Sequence, residues 1–292
     1  MINDSAAQLP TLPERAAASH KGDYGRVLVL GGSLAMAGAP AMTAMACLRS
    51  GAGLVEVATP RCVQPTVAAF CPAYTVSPLA DDGERLTEAA RPALAALLAN
   101  ADAAAIGPGL GRSEGVTALV SMTMTHKAPM VIDADGLNAL ADRNGSGAAP
   151  AGPRVLTPHA GELARLLGEP LSDPDDDAER LAAATWLVER VGGPETVVLL
   201  KGPRTVVTDG VRYAVNGTGN PGMATGGSGD VLTGVIAALL GQGLPTLDAA
   251  RLAACVHGLA GDRAAAKLGQ TALTAPDLID ALPGAWRAVG AP

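Results

Sequence analysis

Aromatic side chains are almost missing from this 292-residue chain, which carries two Trp, three Tyr and one Phe. Proteins that hold single-stranded nucleic acid stack the bases on aromatic platforms, and this sequence has little to build one from. It also has no run of Lys or Arg, and its formal charge is −7. It therefore lacks the basic surface that binding to a phosphate backbone requires. Its four cysteines, Cys47, Cys62, Cys71 and Cys255, form no CxxC pair. That spacing excludes the common zinc motifs and a disulfide framework, and it suits a reducing cytoplasm. No uninterrupted apolar run approaches the roughly 18 residues of a membrane helix, and the first twenty residues lack the apolar core of a secretory leader. GxxxxGK[ST] is absent as well, so any phosphate chemistry must use a device other than the P-loop.

What remains is rich in Ala, Val, Leu, Ile and Gly, with a hydrophobic fraction of 48%. Residues 1–20 read as an extended polar lead-in, and residues 21–292 as one domain. "RVLVLGGS" (Arg26–Ser33) is a short apolar run ending in glycine, the mark of a buried strand meeting a turn. "LVEVATP", "AAAIGPGLG", "MVIDADG", "RVLTPHAGE" and "TVVLLKG" repeat the apolar run, most of them ending in a glycine-rich or polar cluster, and helical patterns lie between them. "RTVVTDGVRYAVNG" reads as a hairpin turning at Asp209-Gly210. Gly229–Leu268 is expected to be mainly helical, with a break at Gly241–Pro245. The acidic stretch "GEPLSDPDDDAER" reads as a surface loop entering a helix. Alternating strands and helices imply an α/β fold, a mainly parallel sheet covered by helices on both faces. Ligands of such sheets sit at the C-terminal ends of the strands. Gly31–Ser33, Gly107–Gly111, Asp133–Asn138, Thr157–Glu162 and Gly226–Asp230 are all expected on that one rim.

Two glycine clusters need separating. "GTGNPG" (Gly217–Gly222) satisfies GxGxxG, but more loop follows it where a dinucleotide fingerprint opens a helix, so that reading fails. "GGSGDVLTGVIAALL" does open an apolar helix. Gly226, Gly227, Ser228 and Gly229 would then offer unpaired N–H groups at a positive helix end, a site for a phosphoryl group. Asp230, in the first turn, is placed to accept a proton from a bound hydroxyl. A tight turn with Asp230 as a simple cap is the plainer alternative.

"VIDADGLNAL" (Val131–Leu140), "LTPHAGELARLLG" (Leu156–Gly168) and "GNPGMATGGSGDVLTG" (Gly219–Gly234) resemble the signature segments of the NAD(P)H-hydrate dehydratases. "KGDYGRVLVLGGS", "GAGLVEVATP", "AIGPGLG" and "LLKGPRTVVTDG" match the same family in order and spacing. The resemblance implies a ribokinase-like three-layer fold. It implies a lyase activity in cofactor repair: removal of water from the S-form of NADH or NADPH hydrate, with ADP or ATP as phosphoryl donor and Mg²⁺ as cofactor. By the same resemblance Asp230 is the base, and the Gly226–Gly229 backbone stabilises the transferred phosphoryl group. Ala39, Gly109 and His159 contact the hydrated substrate. Lys201, Gly202, Pro203, Arg204 and Thr205, with Gly229, hold the nucleotide. Glu162, in the segment that resembles an NxxE motif, acts on Mg²⁺ through water, and no direct metal ligand is assigned. Asp133 and Asn138 either shape that region or anchor loop hydrogen bonds. His20, His126 and His257 are expected to be structural or exposed. The resemblance further implies a homotetramer and a functional link to a separate epimerase, the chain being expected to be a free-standing dehydratase.

Two other readings use the same residues. A ribokinase-like kinase acting on a vitamin precursor would share the anion site and Asp230 but leave a stable phosphate ester. A silent nucleotide-binding protein would have no need of Asp230.

Overall fold

The computed structural model describes residues 1–142 and 149–291. The strands are β1 (Ile2–Asn3), β2 (Arg26–Leu30), β3 (Leu54–Pro60), β4 (Thr75–Leu79), β5 (Ala103–Ile106), β6 (Met130–Ile132), β7 (Arg154–Leu156), β8 (Thr196–Leu200), β9 (Val206–Thr208) and β10 (Arg212–Val215). The helices are α1 (Gly38–Arg49), α2 (Gln64–Phe70), α3 (Arg91–Leu98), α4 (Glu114–Met124), α5 (Asp135–Asp142), α6 (Ala160–Leu167), α7 (Asp177–Val191), α8 (Ser228–Gly241), α9 (Thr246–Leu268) and α10 (Ala275–Ala288).

The strands form one sheet in the order β1-β10-β9-β8-β7-β6-β5-β2-β3-β4. From β8 to β4 every pairing is parallel, and β9 is antiparallel to both of its neighbours. Side chains alternate across the sheet as a strand requires. Val27 and Val29 join a core with α1, α8, α9 and α10, whereas Leu28 and Leu30 join a second core with α3, α4, α6 and α7. Val197 and Leu199 divide from Val198 and Leu200 in the same way. The result is the expected three layers.

Small residues replace aromatics as the means of close packing. Every residue of α8 from Val231 to Leu240 is buried. Gly234 lies against the α1 backbone at Thr43 with no room for a Cβ, and the Cys47 thiol donates to the Gly234 carbonyl at 3.2 Å. This contact brings the start of α8 beside the start of α1. At the opposite end of the sheet, the buried Arg154 guanidinium donates to the carbonyls of Thr123, His126 and Ala128, tying α4 to β7.

β2 and β5 are neighbours, yet the chain leaves them in opposite directions, to β3 and to β6. Such a switch point opens a crevice at the strand ends.

Several elements go beyond the sequence pattern. Ile2 and Asn3 pair with Arg212 and Tyr213, so the lead-in supplies an edge strand. β4 and α10 are additional elements. α3 follows a 3₁₀ turn at Glu88–Ala90 and carries Pro92 in its first turn, where proline is well tolerated.

Candidate active site

The expected clusters do converge on the strand-end rim. After β2, Gly31 N donates to Ala58 O and Gly32 N to Pro108 O, which joins the loops after β2 and β5. Gly109 has φ +66°, and a Cβ there would stand 3.0 Å from Ala39 Cβ and 2.7 Å from Met36 O. Ala39 and Gly109 therefore form one narrow wall of the crevice. Leu34 and Met36 stay largely exposed beside it.

The opposite wall is charged. Asp133, at the end of β6, is 1% exposed. Its Oδ1 lies 2.7 Å from Lys201 Nζ at the end of β8, and its Oδ2 accepts from Thr233 Oγ1 of α8 at 2.7 Å. Glu162 Oε2 lies 3.5 Å from the same ammonium. Burial alone would lower the Lys201 pKa, but Asp133 and Glu162 hold it above its ordinary value. Gly229 comes within reach of both partners, since a Cβ there would be 3.4 Å from Lys201 Nζ and 3.6 Å from Asp133 Oδ2.

α8 begins without a side-chain cap. Gly227, at φ +89°, supplies the left-handed turn that precedes it, a conformation glycine adopts without the penalty a side chain brings. Ser228 N donates to Thr225 O and Val231 N to Gly227 O. Among the described residues the N–H groups of Gly229 and Asp230 find no acceptor. They point out of a helix end that favours negative charge. Asp230 sits in this first turn. Burial, reinforced by Asp133, pushes its carboxyl up to about 7, while Lys201 opposes the shift. A carboxylate poised there suits a general base near neutral pH.

His159 is the N-cap of α6. Its Nδ1 accepts from the N–H groups of Gly161 and Glu162, and Glu162 Oε2 accepts from His159 N at 2.8 Å, a reciprocal capping box. Because Nδ1 accepts, the ring proton of neutral His159 resides on Nε2. The His159 side chain is about half exposed, with Nε2 3.5 Å from Glu162 Oε1. Asn138 stands slightly apart, donating to Asp135 Oδ1.

Gly202, Pro203, Arg204 and Thr205 form an exposed turn after β8, with Thr205 Oγ1 donating to Gly202 O at 3.1 Å. Arg180 organises this turn. Only 4% exposed, it donates to the carbonyls of Pro203 and Arg204 from α7. It belongs to the acidic stretch read as plain surface, whose Asp176 caps α7. His257, expected to be structural or exposed, is a second residue that holds a loop. It is buried on α9, with Nε2 3.0 Å from Ser228 O and 3.4 Å from Ser228 Oγ. Burial pushes its pKa down to about 4, so the ring is neutral and Nε2–H can donate. Asp262, further along α9, accepts from Gly219 N and Asn220 Nδ2. One helix thus pins the glycine-rich loop at two places. His257 and Asp262 stand five residues apart among other polar residues of α9, a spacing that marks no single helix face, so the sequence carried no signal for them.

The profile of the NAD(P)H-hydrate dehydratase family matches residues 27–284. The bifunctional NAD(P)H-hydrate repair enzyme of Moorella thermoacetica is 47% identical over 279 residues, which cover 93% of this chain and 51% of that protein. Its Escherichia coli counterpart is 42% identical, with 95% and 51% covered. The chain thus spans about half the length of the curated relatives it matches. Among solved structures, the ADP/ATP-dependent NAD(P)H-hydrate dehydratase of Bacillus subtilis, co-crystallised with ATP and Mg²⁺, superposes with a TM-score of 0.80 at 32% identity, covering 96% of this chain and 95% of that one. A ribokinase-like superfamily protein of Enterococcus faecalis gives a TM-score of 0.80 at 29% identity, with 96% and 92% covered. With the family profile matched across most of its length, this chain belongs to the NAD(P)H-hydrate dehydratase family.

Proposed function

We propose that this chain dehydrates the S-hydrate of NADH or NADPH, with ADP or ATP as phosphoryl donor. The observation that carries this reading is the placement of Asp230, its carboxyl raised to about 7, beside the open N–H groups at the start of α8. Hydroxide leaves poorly at neutral pH, so the hydroxyl must first become a better leaving group. Asp230 accepts the hydroxyl proton as the substrate oxygen bonds to the terminal phosphorus of the nucleotide. The bond from that phosphorus to the bridging oxygen breaks, and the shortened nucleotide departs. The Gly229 and Asp230 N–H groups stabilise charge on the phosphoryl oxygens in flight. The ring nitrogen then expels phosphate from the neighbouring carbon. Loss of a proton from the adjacent ring carbon restores the dihydropyridine.

Ala39, Gly109 and His159 would border the hydrated ring. Lys201 and the turn from Gly202 to Thr205 would border the nucleotide. Among the described residues no group of three His, Cys, Asp or Glu side chains converges on a metal-sized point. Mg²⁺ keeps much of its water and is readily carried by nucleotide phosphates, so it fits this sparse donor set, with Glu162 reaching it through water. When bound it neutralises phosphate charge.

A homotetramer, a cytoplasmic setting and cooperation with an epimerase complete the proposal; light scattering checks the first. Among the described residues no helix is long and apolar enough to cross a membrane. The deciding experiment mixes hydrated NADH or NADPH with the protein, Mg²⁺ and either nucleotide. The expected result is nucleotide-dependent recovery of the dihydronicotinamide absorbance with equimolar release of phosphate. No recovery with either nucleotide, on substrate verified with a known enzyme, defeats the reading.

A further inference from the structure

A dinucleotide hydrate is much longer than its reacting ring. With the ring between Ala39–Gly109 and Asp230, and the donor nucleotide along Lys201–Thr205, the rest of the substrate needs its own path out of the crevice. We propose that Arg85, Arg112 and Arg165 form the subsite for the diphosphate-bearing half of the dinucleotide. This inference rests on the dehydratase reading.

The loop that carries Gly109 leads directly there. Arg85 lies against Gly111: its Nε is 2.9 Å from where a Cβ would stand. Gly111 N donates to Asp135 Oδ2 at 2.8 Å, and Asn138 Nδ2 donates to Asp135 Oδ1 at 3.1 Å. Asn138 Oδ1 in turn accepts from Arg165 Nη1 at 3.2 Å. A continuous run of hydrogen bonds therefore joins the ring-binding loop to the Arg165 guanidinium. Arg112, the next residue after Gly111, opens with Arg165 onto a groove of about 610 Å³ that Asp142, Gly168 and Glu169 also line.

Asp142 and Glu169 line the groove with Arg112 and Arg165, so the anion site rests on the donors the guanidinium groups keep free rather than on net charge. Asp142 pairs with Arg112 and Glu84 with Arg85, both at the surface. Exposed pairs of this kind hold their partners only weakly. Each guanidinium has five N–H donors in a planar fork, so a carboxylate can orient it and leave donors for phosphate. Bidentate contact with phosphate is the stronger interaction.

The test compares kcat/KM for the hydrate of NADH with that for the hydrate of reduced nicotinamide mononucleotide, which keeps the ring, ribose and one phosphate. Wild-type protein is compared with Arg112→Ala, Arg165→Ala and Arg85→Gln, each checked for an unchanged thermal transition. The charge-reversal pair Arg112→Glu/Arg165→Glu is added for a larger effect. The wild type is expected to prefer the dinucleotide. The variants are expected to lose that preference by roughly tenfold or more, through a higher KM and a smaller salt dependence. An unchanged preference in the folded variants overturns the subsite while leaving the dehydratase reading intact. A wild type that turns over neither hydrate overturns both.

Discussion

The ammonium of Lys201 stands 2.7 Å from Asp133 Oδ1, and the other oxygen of that carboxylate takes the Thr233 hydroxyl at 2.7 Å. Three elements meet in this contact: the ends of β6 and β8 and the second turn of α8. Lys201→Met leaves Asp133 and Glu162 buried without their cation, and removing one partner of a buried ion pair is costly. We expect a loss of about 3 kcal/mol in urea unfolding, together with weaker binding of ADP and ATP by calorimetry.

Asp230 occupies a different position, since its charge is a burden to the fold and an asset to the proposed chemistry. Asp230→Asn should lower kcat by about 10²–10⁴-fold, while ADP still binds. Retained turnover in a pure preparation would dismiss Asp230 as the base.

The raised pKa of Asp230 gives two opposite pH dependences. As the base, it must be ionised, so kcat/KM should rise roughly tenfold per unit below about 7 and level off above it. For stability the sign reverses. The folded state holds this proton more tightly than the unfolded chain does, so its stabilising effect is present in acid and is lost as pH rises toward 7. Asp230→Asn should therefore melt about 2–4 °C above wild type at pH 8, with the difference vanishing near pH 4. Calorimetry at the two pH values checks this.

Gly227 limits what the anion loop can tolerate. Its φ is +89°, and a Cβ there would stand 2.5 Å from Met42 Cε and 3.0 Å from Ala275 Cβ. Gly227→Ala combines left-handed strain with crowding, at about 1–2 kcal/mol. Because the strain falls at the start of α8, kcat should drop more than stability does. Thermal melts and phosphate release, measured on one preparation, separate the two effects.

The parallel strands were legible because burial on both faces leaves unbroken apolar runs such as "RVLVL" and "TVVLL", most of them ending in glycine or a polar residue. The clusters at their ends followed from the general rule for ligand placement. β1 was not legible, because two exposed residues carry no periodicity and owe their pairing to β10. β4, "TVSPL", hides behind a proline that an edge strand tolerates. Arg180 was lost in an acidic stretch, and only the fold brings it under the Pro203 and Arg204 carbonyls. Arg85, Arg112 and Arg165 are likewise far apart in sequence. Arg112 and Arg165 come to one groove only because the loop after β5 meets α6.

His257 offers the most discriminating test of how α9 serves the loop. Its Nε2 is 3.0 Å from Ser228 O, and with a pKa pushed down to about 4 the ring stays neutral. The unfolded chain takes up a proton near 6.5 and the folded protein does not. The stabilisation is therefore complete above 6.5 and is lost as pH falls toward 4. His257→Gln keeps a donor for Ser228 O but removes the titration. It should flatten the fall in melting temperature between pH 6.5 and 4 while preserving most of the turnover. His257→Leu removes the donor too, and its kcat should fall about tenfold at neutral pH through the loosened loop. A leucine variant with full kcat and only a lower melting temperature would reduce His257 to a packing residue. The glutamine variant then decides whether its hydrogen bond matters to the fold.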